Sequence, residues 1–124
     1  MSSSKKFKIV FNSPVVLTFS ALCCIVLVLN YVTFGKSNDL LFSVYKSPLT
    51  SIFTYFRFIG HVLGHADITH LVNNMTMILV LGPLLEDKYG GKNVILTILV
   101  TALVTGIVHF IFFPGVQLLG ASGI

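Results

Sequence analysis

The sequence predicts an all-α, polytopic membrane protein, and three observations carry that expectation. Hydrophobic residues make up 55% of the 124 and charged residues only 10%, with a mean hydropathy of +0.94, figures outside the range of a soluble domain. The few charged residues are placed so that they leave three long uncharged runs. Each run approaches the ~20 residues that a helix needs to cross a hydrocarbon core. The formal net charge of +4 raises the question of nucleic acid, but the eight basic residues are scattered and never interleave with aromatics in one patch. No nucleic-acid partner is expected.

Residues 1–13 read as a tail carrying Lys5, Lys6 and Lys8. No charge follows from Ile9 through Gly35. That run exceeds the ~7–15 residues of a signal-peptide core, and no small-x-small cleavage site follows it. Residues 14–34 are therefore expected to form a retained first transmembrane helix. The adjacent Cys23 and Cys24 within it are read as packing thiols, since a vicinal disulfide is strained.

The connection 35–66 is too long for a tight turn and is expected to carry structure of its own. Leu49, Ile52, Phe53, Phe56 and Ile59 recur at three- and four-residue spacing, and Phe53, Tyr55, Phe56 and Phe58 supply an aromatic belt. An amphipathic segment lying in the membrane interface fits both patterns. A second transmembrane helix is expected over 67–85, with Asp67 as its N-cap and Pro83 near its far end, stopped by Glu86-Asp87-Lys88 and Gly90-Gly91. A third is expected over 93–113, ended by Phe113-Pro114-Gly115. Placing the amino terminus in the cytoplasm puts Lys5, Lys6, Lys8, Lys88 and Lys92 inside and leaves Lys36, Lys46 and Arg57 outside, as the positive-inside bias requires. The expected location is the cell membrane.

Polar chemistry falls in two places. His61, His65 and His70 lie close together, and His70 and Asn74, four residues apart, share one helical face. Polar groups on a membrane helix pair with neighbours, hydrate or act on a ligand, and the spacing alone leaves these readings open. His61 and His65 have the i, i+4 spacing of a metal-ligand pair, but only Asp67 stands nearby as a third ligand, so no metal or cofactor is expected. The second place is Gly120-Ala121-Ser122-Gly123. By itself such a quartet serves as readily in a turn or a helix contact as in chemistry. Its small residues do allow a substrate carbonyl close to the backbone, with Ser122 at a helix start whose N–H groups face developing negative charge.

The ordered set of His70 and Asn74, then Glu86, then Gly120 through Gly123, with Arg57 and the His61, His65, His70 run ahead of it, resembles the rhomboid intramembrane serine proteases. The resemblance covers about residues 53–124. It implies a rhomboid fold of six core helices, of which the chain carries the first three and the start of the fourth at 120–124. It implies Ser122 as nucleophile, with the Ser122 N–H, His70 and Asn74 as the oxyanion hole. Gly120 and Gly123 support the motif, and Glu86 is a structural carboxylate. Hydrolysis of a peptide bond in transmembrane protein substrates would follow, within the lipid bilayer and without a cofactor. Two features depart from the pattern. The chain has no tryptophan and so lacks the Trp-Arg pair of many rhomboids, and the family's general-base histidine sits on a sixth helix that is absent from these residues. His109 is the one histidine near enough in sequence to be considered in its place. Residues 1–124 alone are accordingly expected to be inactive, and the alternative is a non-catalytic rhomboid-like protein that binds transmembrane helices.

Overall fold

The computed structural model describes residues 13–121, which form five helices and an isolated pairing of Val44 with Leu118. These are α1 (Pro14–Val32), α2 (Lys36–Leu41), α3 (Ile52–Gly60), α4 (Ile68–Tyr89) and α5 (Gly91–Phe112). Helices α1, α4 and α5 are long and apolar enough to cross a membrane. Their 19, 22 and 22 residues correspond to about 28 to 33 Å of helix, matching a bilayer core. Side chains such as Val32, Val80 and Phe112 are more than 60% exposed. On helices of this length such surfaces are satisfied by lipid, and the protein is an integral membrane protein.

The helix ends have local causes. Helix α1 stops at Val32 because Phe34 (φ 56°) and Gly35 (φ 87°) take left-handed backbone, and the Gly35 N–H turns back to the Asn30 carbonyl at 2.8 Å. Helix α4 continues past Leu85 through Glu86, Asp87 and Lys88 to Tyr89, since charges at a membrane helix end reach the interface and need not break the helix. Gly90, at φ 86°, makes the reversal into α5, which opens at Gly91 rather than Asn93. Pro83 is buried within the last turns of α4 without ending it.

Packing joins α1 to α4 and α3 to α5. The core is the cluster Phe19, Cys23, Leu27, Val62, Leu71, Met75, Ala102 and Ala121. Two close approaches depend on missing side chains. A Cβ on Gly82 would lie 2.9 Å from both Val16 methyls, and one on Gly106 would lie 2.5 Å from the Phe58 carbonyl oxygen. At the other end of the bundle the buried Glu86 carboxylate accepts from Val15 N at 3.1 Å and Val16 N at 2.9 Å. It thereby satisfies first-turn donors of α1 that no residue of α1 itself caps.

Candidate active site

The site is assembled from the start of α4, the turn before it, and the segment after α5. Asp67 caps α4 by accepting from His70 N at 2.8 Å, which fixes the first turn and the direction of the His70 side chain. The His70 Nδ1 accepts from Ala66 N at 3.2 Å, an arrangement that assigns the proton of the neutral ring to Nε2. One turn later, Asn74 presents its amide on the same face.

The segment after α5 is stitched back onto the first connection. Val44 and Leu118 exchange N–H···O=C bonds at 2.8 and 2.9 Å, and Lys46 N donates to Pro114 O at 3.0 Å. The Gln117 amide donates to Asp39 Oδ1 at 3.0 Å and Ser43 Oγ at 2.7 Å. Gly120 N then donates to the His61 carbonyl at 2.8 Å, and Ala121 N to His65 Nε2 at 3.4 Å. These bonds carry the chain to the mouth of α4.

Gly120 is where the two halves meet. Its φ of 116° lies in the region that favours glycine, and a Cβ there would stand 2.8 Å from both Nε2 and Cε1 of His70 and 3.4 Å from Nδ2 of Asn74. The absent side chain leaves this space beside two donors. Asn74 Nδ2 is buried and has no hydrogen-bond partner among the described residues. An unpaired buried amide is costly unless a ligand or transition state supplies its acceptor. Ser122 and Gly123 lie outside the described residues.

The other two histidines support the turn. His65, fully buried, donates from Nδ1 to Leu63 O at 3.3 Å while Nε2 receives Ala121 N, and its ring meets that of His70 edge-on at 4.9 Å. Asn38 Nδ2 holds the His65 carbonyl at 3.0 Å. His61 bonds through Nε2 to the Ala102 carbonyl at 2.8 Å, tying the turn to α5. His61 Nε2 and His65 Nδ1 are engaged by backbone carbonyls and His65 Nε2 by Ala121 N, and among the described residues no group of three metal-ligating side chains gathers. Burial pushes the His65 pKa below its ordinary 6.5, helped by the His70 charge and opposed by the Leu63 carbonyl. The His61 pKa is also lowered, by burial first and by the His109 charge, against the Ala102 carbonyl bond.

Two sequence candidates stand elsewhere. His109 bonds through Nε2 to the Val116 carbonyl at 2.5 Å and stacks, tilted, on Phe113. Glu86 lies sixteen residues beyond His70 on α4, about 24 Å along the helix axis. It therefore belongs to the α1 contact and not to the His70 cluster. The contributions of Asn38, Ser43 and Gln117 were not legible, because their partners lie far away in sequence and no spacing signals them. Beneath the turn, a cavity of about 760 Å³ runs from Asn74 and Ala121 down to Tyr89 and Asn93, walled by apolar residues of α1, α4 and α5.

A family model of the rhomboid domain matches residues 53–124. Rhomboid-related protein 2 of Mus musculus is 42% identical over 67 residues, covering 54% of this chain and 22% of that protein. Rhomboid-like protease 3 of Toxoplasma gondii is 33% identical over 76 residues, covering 61% of this chain and 29% of that protein. The chain matches less than a third of the length of either relative.

Proposed function

The chain belongs to the rhomboid family, and from that premise we propose that it works as an intramembrane serine endopeptidase on transmembrane protein substrates. Ser122 Oγ attacks the scissile carbonyl and gives its proton to a base, the role the family resemblance assigns to a sixth-helix histidine outside residues 1–124. The carbonyl oxygen, now an oxyanion, accepts from Ser122 N–H, His70 Nε2 and Asn74 Nδ2. Collapse expels the amine, which takes the proton from the base, and water hydrolyses the acyl-enzyme by the same route. The observation that carries this reading is the unpaired Asn74 amide beside Gly120 and His70. A catalytic site is a reason to keep such a donor unsatisfied.

The proposed topology places the amino terminus and Lys88, Lys92 in the cytoplasm, with the Gly120 turn near the outer face. Lys92→Cys should then be labelled from the cytoplasmic side and Lys46→Cys from outside.

The alternative, a rhomboid-like protein that binds transmembrane helices without cutting them, is favoured by the 760 Å³ apolar cavity. The experiment that separates the two is incubation of the reconstituted protein, in a form that includes the sixth-helix histidine, and its Ser122→Ala variant with a transmembrane substrate. Cleavage lost in the variant while substrate capture persists supports the protease. Capture without cleavage by either protein supports the alternative.

A further inference from the structure

A second apolar groove, of about 520 Å³, adjoins the first cavity across Phe19 and Ile98, and Ala121 does not line it. It is lined by Thr18 and Leu22 of α1, Ile59 and Leu63 from above, and Ile95 and Leu99 of α5. Its origin lies in how deep the α3–α4 turn reaches. The turn meets α1 at Cys23, whose thiol lies 4.0 Å from the Val62 carbonyl, and it meets α5 at Ala102 through His61. Both contacts fall near the middle of their helices. Helix α3 and the turn therefore fill one half of the space between α1 and α5, and the half toward Pro14 and Gly91 is left open.

In a bilayer an apolar slot of this kind takes hydrocarbon, since water in it finds no partners. What enters is decided at the mouth. Lys92 stands three residues before Ile95 and seven before Leu99, on the helical face that lines the slot, and it is exposed. Of the neighbouring acids, Glu86 gives both oxygens to Val15 and Val16, and Asp87 is offset by Lys88 next to it. An exposed lysine at the mouth of an apolar slot matches a lipid with a negative headgroup and an acyl chain to insert.

We propose that the groove between α1 and α5, beneath the α3–α4 turn, binds an anionic phospholipid, with one acyl chain along Leu22, Ile95 and Leu99 and the phosphate at Lys92. The site is separate from the Gly120 turn, and the proposal stands whether or not the chain is a protease. Because the protein has no tryptophan, a single Leu99→Trp substitution gives a reporter within the slot, and Leu84→Trp, on the lipid-facing surface of α4, gives one outside it.

Each variant is reconstituted in phosphatidylcholine vesicles containing a minor fraction of phosphatidylglycerol, with brominated chains on one lipid or the other. At Leu99→Trp, brominated phosphatidylglycerol should quench more strongly, mole for mole, than brominated phosphatidylcholine, while at Leu84→Trp the two should be equal. Adding Lys92→Gln should cut the preference about fivefold, the equivalent of the ~1 kcal/mol that one lysine contributes at an anionic surface. Equal quenching by both lipids at Leu99→Trp, the same preference at both positions, or a preference that survives Lys92→Gln would overturn the proposal.

Discussion

Glu86 gives the sharpest separation between holding the fold and doing chemistry. It is only 5% exposed and accepts from Val15 N and Val16 N at 3.1 and 2.9 Å, the bonds that cap α1. A hydrogen bond to a charged group contributes about 1.5–3 kcal/mol. Two such bonds sum to about 3–6 kcal/mol, and partial access of interfacial water to the first turn of α1 brings the expected loss in Glu86→Ala to about 3 kcal/mol. That is about two orders of magnitude in the unfolding constant. Glu86→Gln keeps one acceptor oxygen and should lose about half as much. Unfolding in mixed detergent micelles, followed by far-ultraviolet circular dichroism, measures the loss. Since Glu86 is sixteen residues from His70 along α4, Glu86→Ala in a form that includes the sixth-helix histidine should turn over substrate at the parental rate per folded molecule. Parental stability in Glu86→Ala, or lost turnover in a protein still fully folded, would refute the assignment.

Other outcomes follow from the packing and the histidines. In Gly106→Val the new Cβ would sit 2.5 Å from the Phe58 carbonyl and 3.0 Å from its Cα, both backbone atoms that cannot move aside. This should cost about 1–3 kcal/mol or more by separating α3 from α5, whereas Gly115→Ala, with nothing within 4 Å, should be near neutral in the same unfolding assay. His61 and His65 have pKa values below their ordinary 6.5 in the folded protein. The unfolded chain therefore takes up protons first, so their contribution is complete above pH 6.5 and is lost as the pH falls below it. A stability series from neutral pH downward should show that decline, and His61→Gln should flatten it. Stability that rises on acidification would contradict the sign.

The spanning helices were readable because a bilayer imposes a length, and helices at a soluble surface seldom run uncharged for about 20 residues. Their ends were less readable. Glu86, Asp87 and Lys88 look like a stop signal, yet α4 runs through them because one carboxylate is needed on α1 and the other charges sit at the interface. Short α2 has no periodic pattern long enough to announce it, and it forms because Thr33 Oγ accepts from Ser37 N at 3.0 Å after the left-handed turn at Phe34 and Gly35. In the site, His70 and Asn74 were visible through helical spacing. The bonds from Ala121 to His65 and from Gln117 to Ser43 span 56 and 74 residues and leave no local trace. His109 shows the opposite limit, since a position near the motif in sequence says nothing of the carbonyl at Val116 that engages its ring.

The central claim is that the Gly120 turn sits against His70 and Asn74 so that their donors stabilise an oxyanion formed at Ser122. Its most direct test is the rate at which a fluorophosphonate labels Ser122 in a form of the protein that includes the sixth-helix histidine, and in its His70→Ala and Asn74→Ala variants, each compared at equal folded fraction. Labelling should slow by about 10²–10³ in each variant, the usual cost of one oxyanion donor. Labelling at the parental rate in both would contradict the claim and return His70 and Asn74 to helix packing.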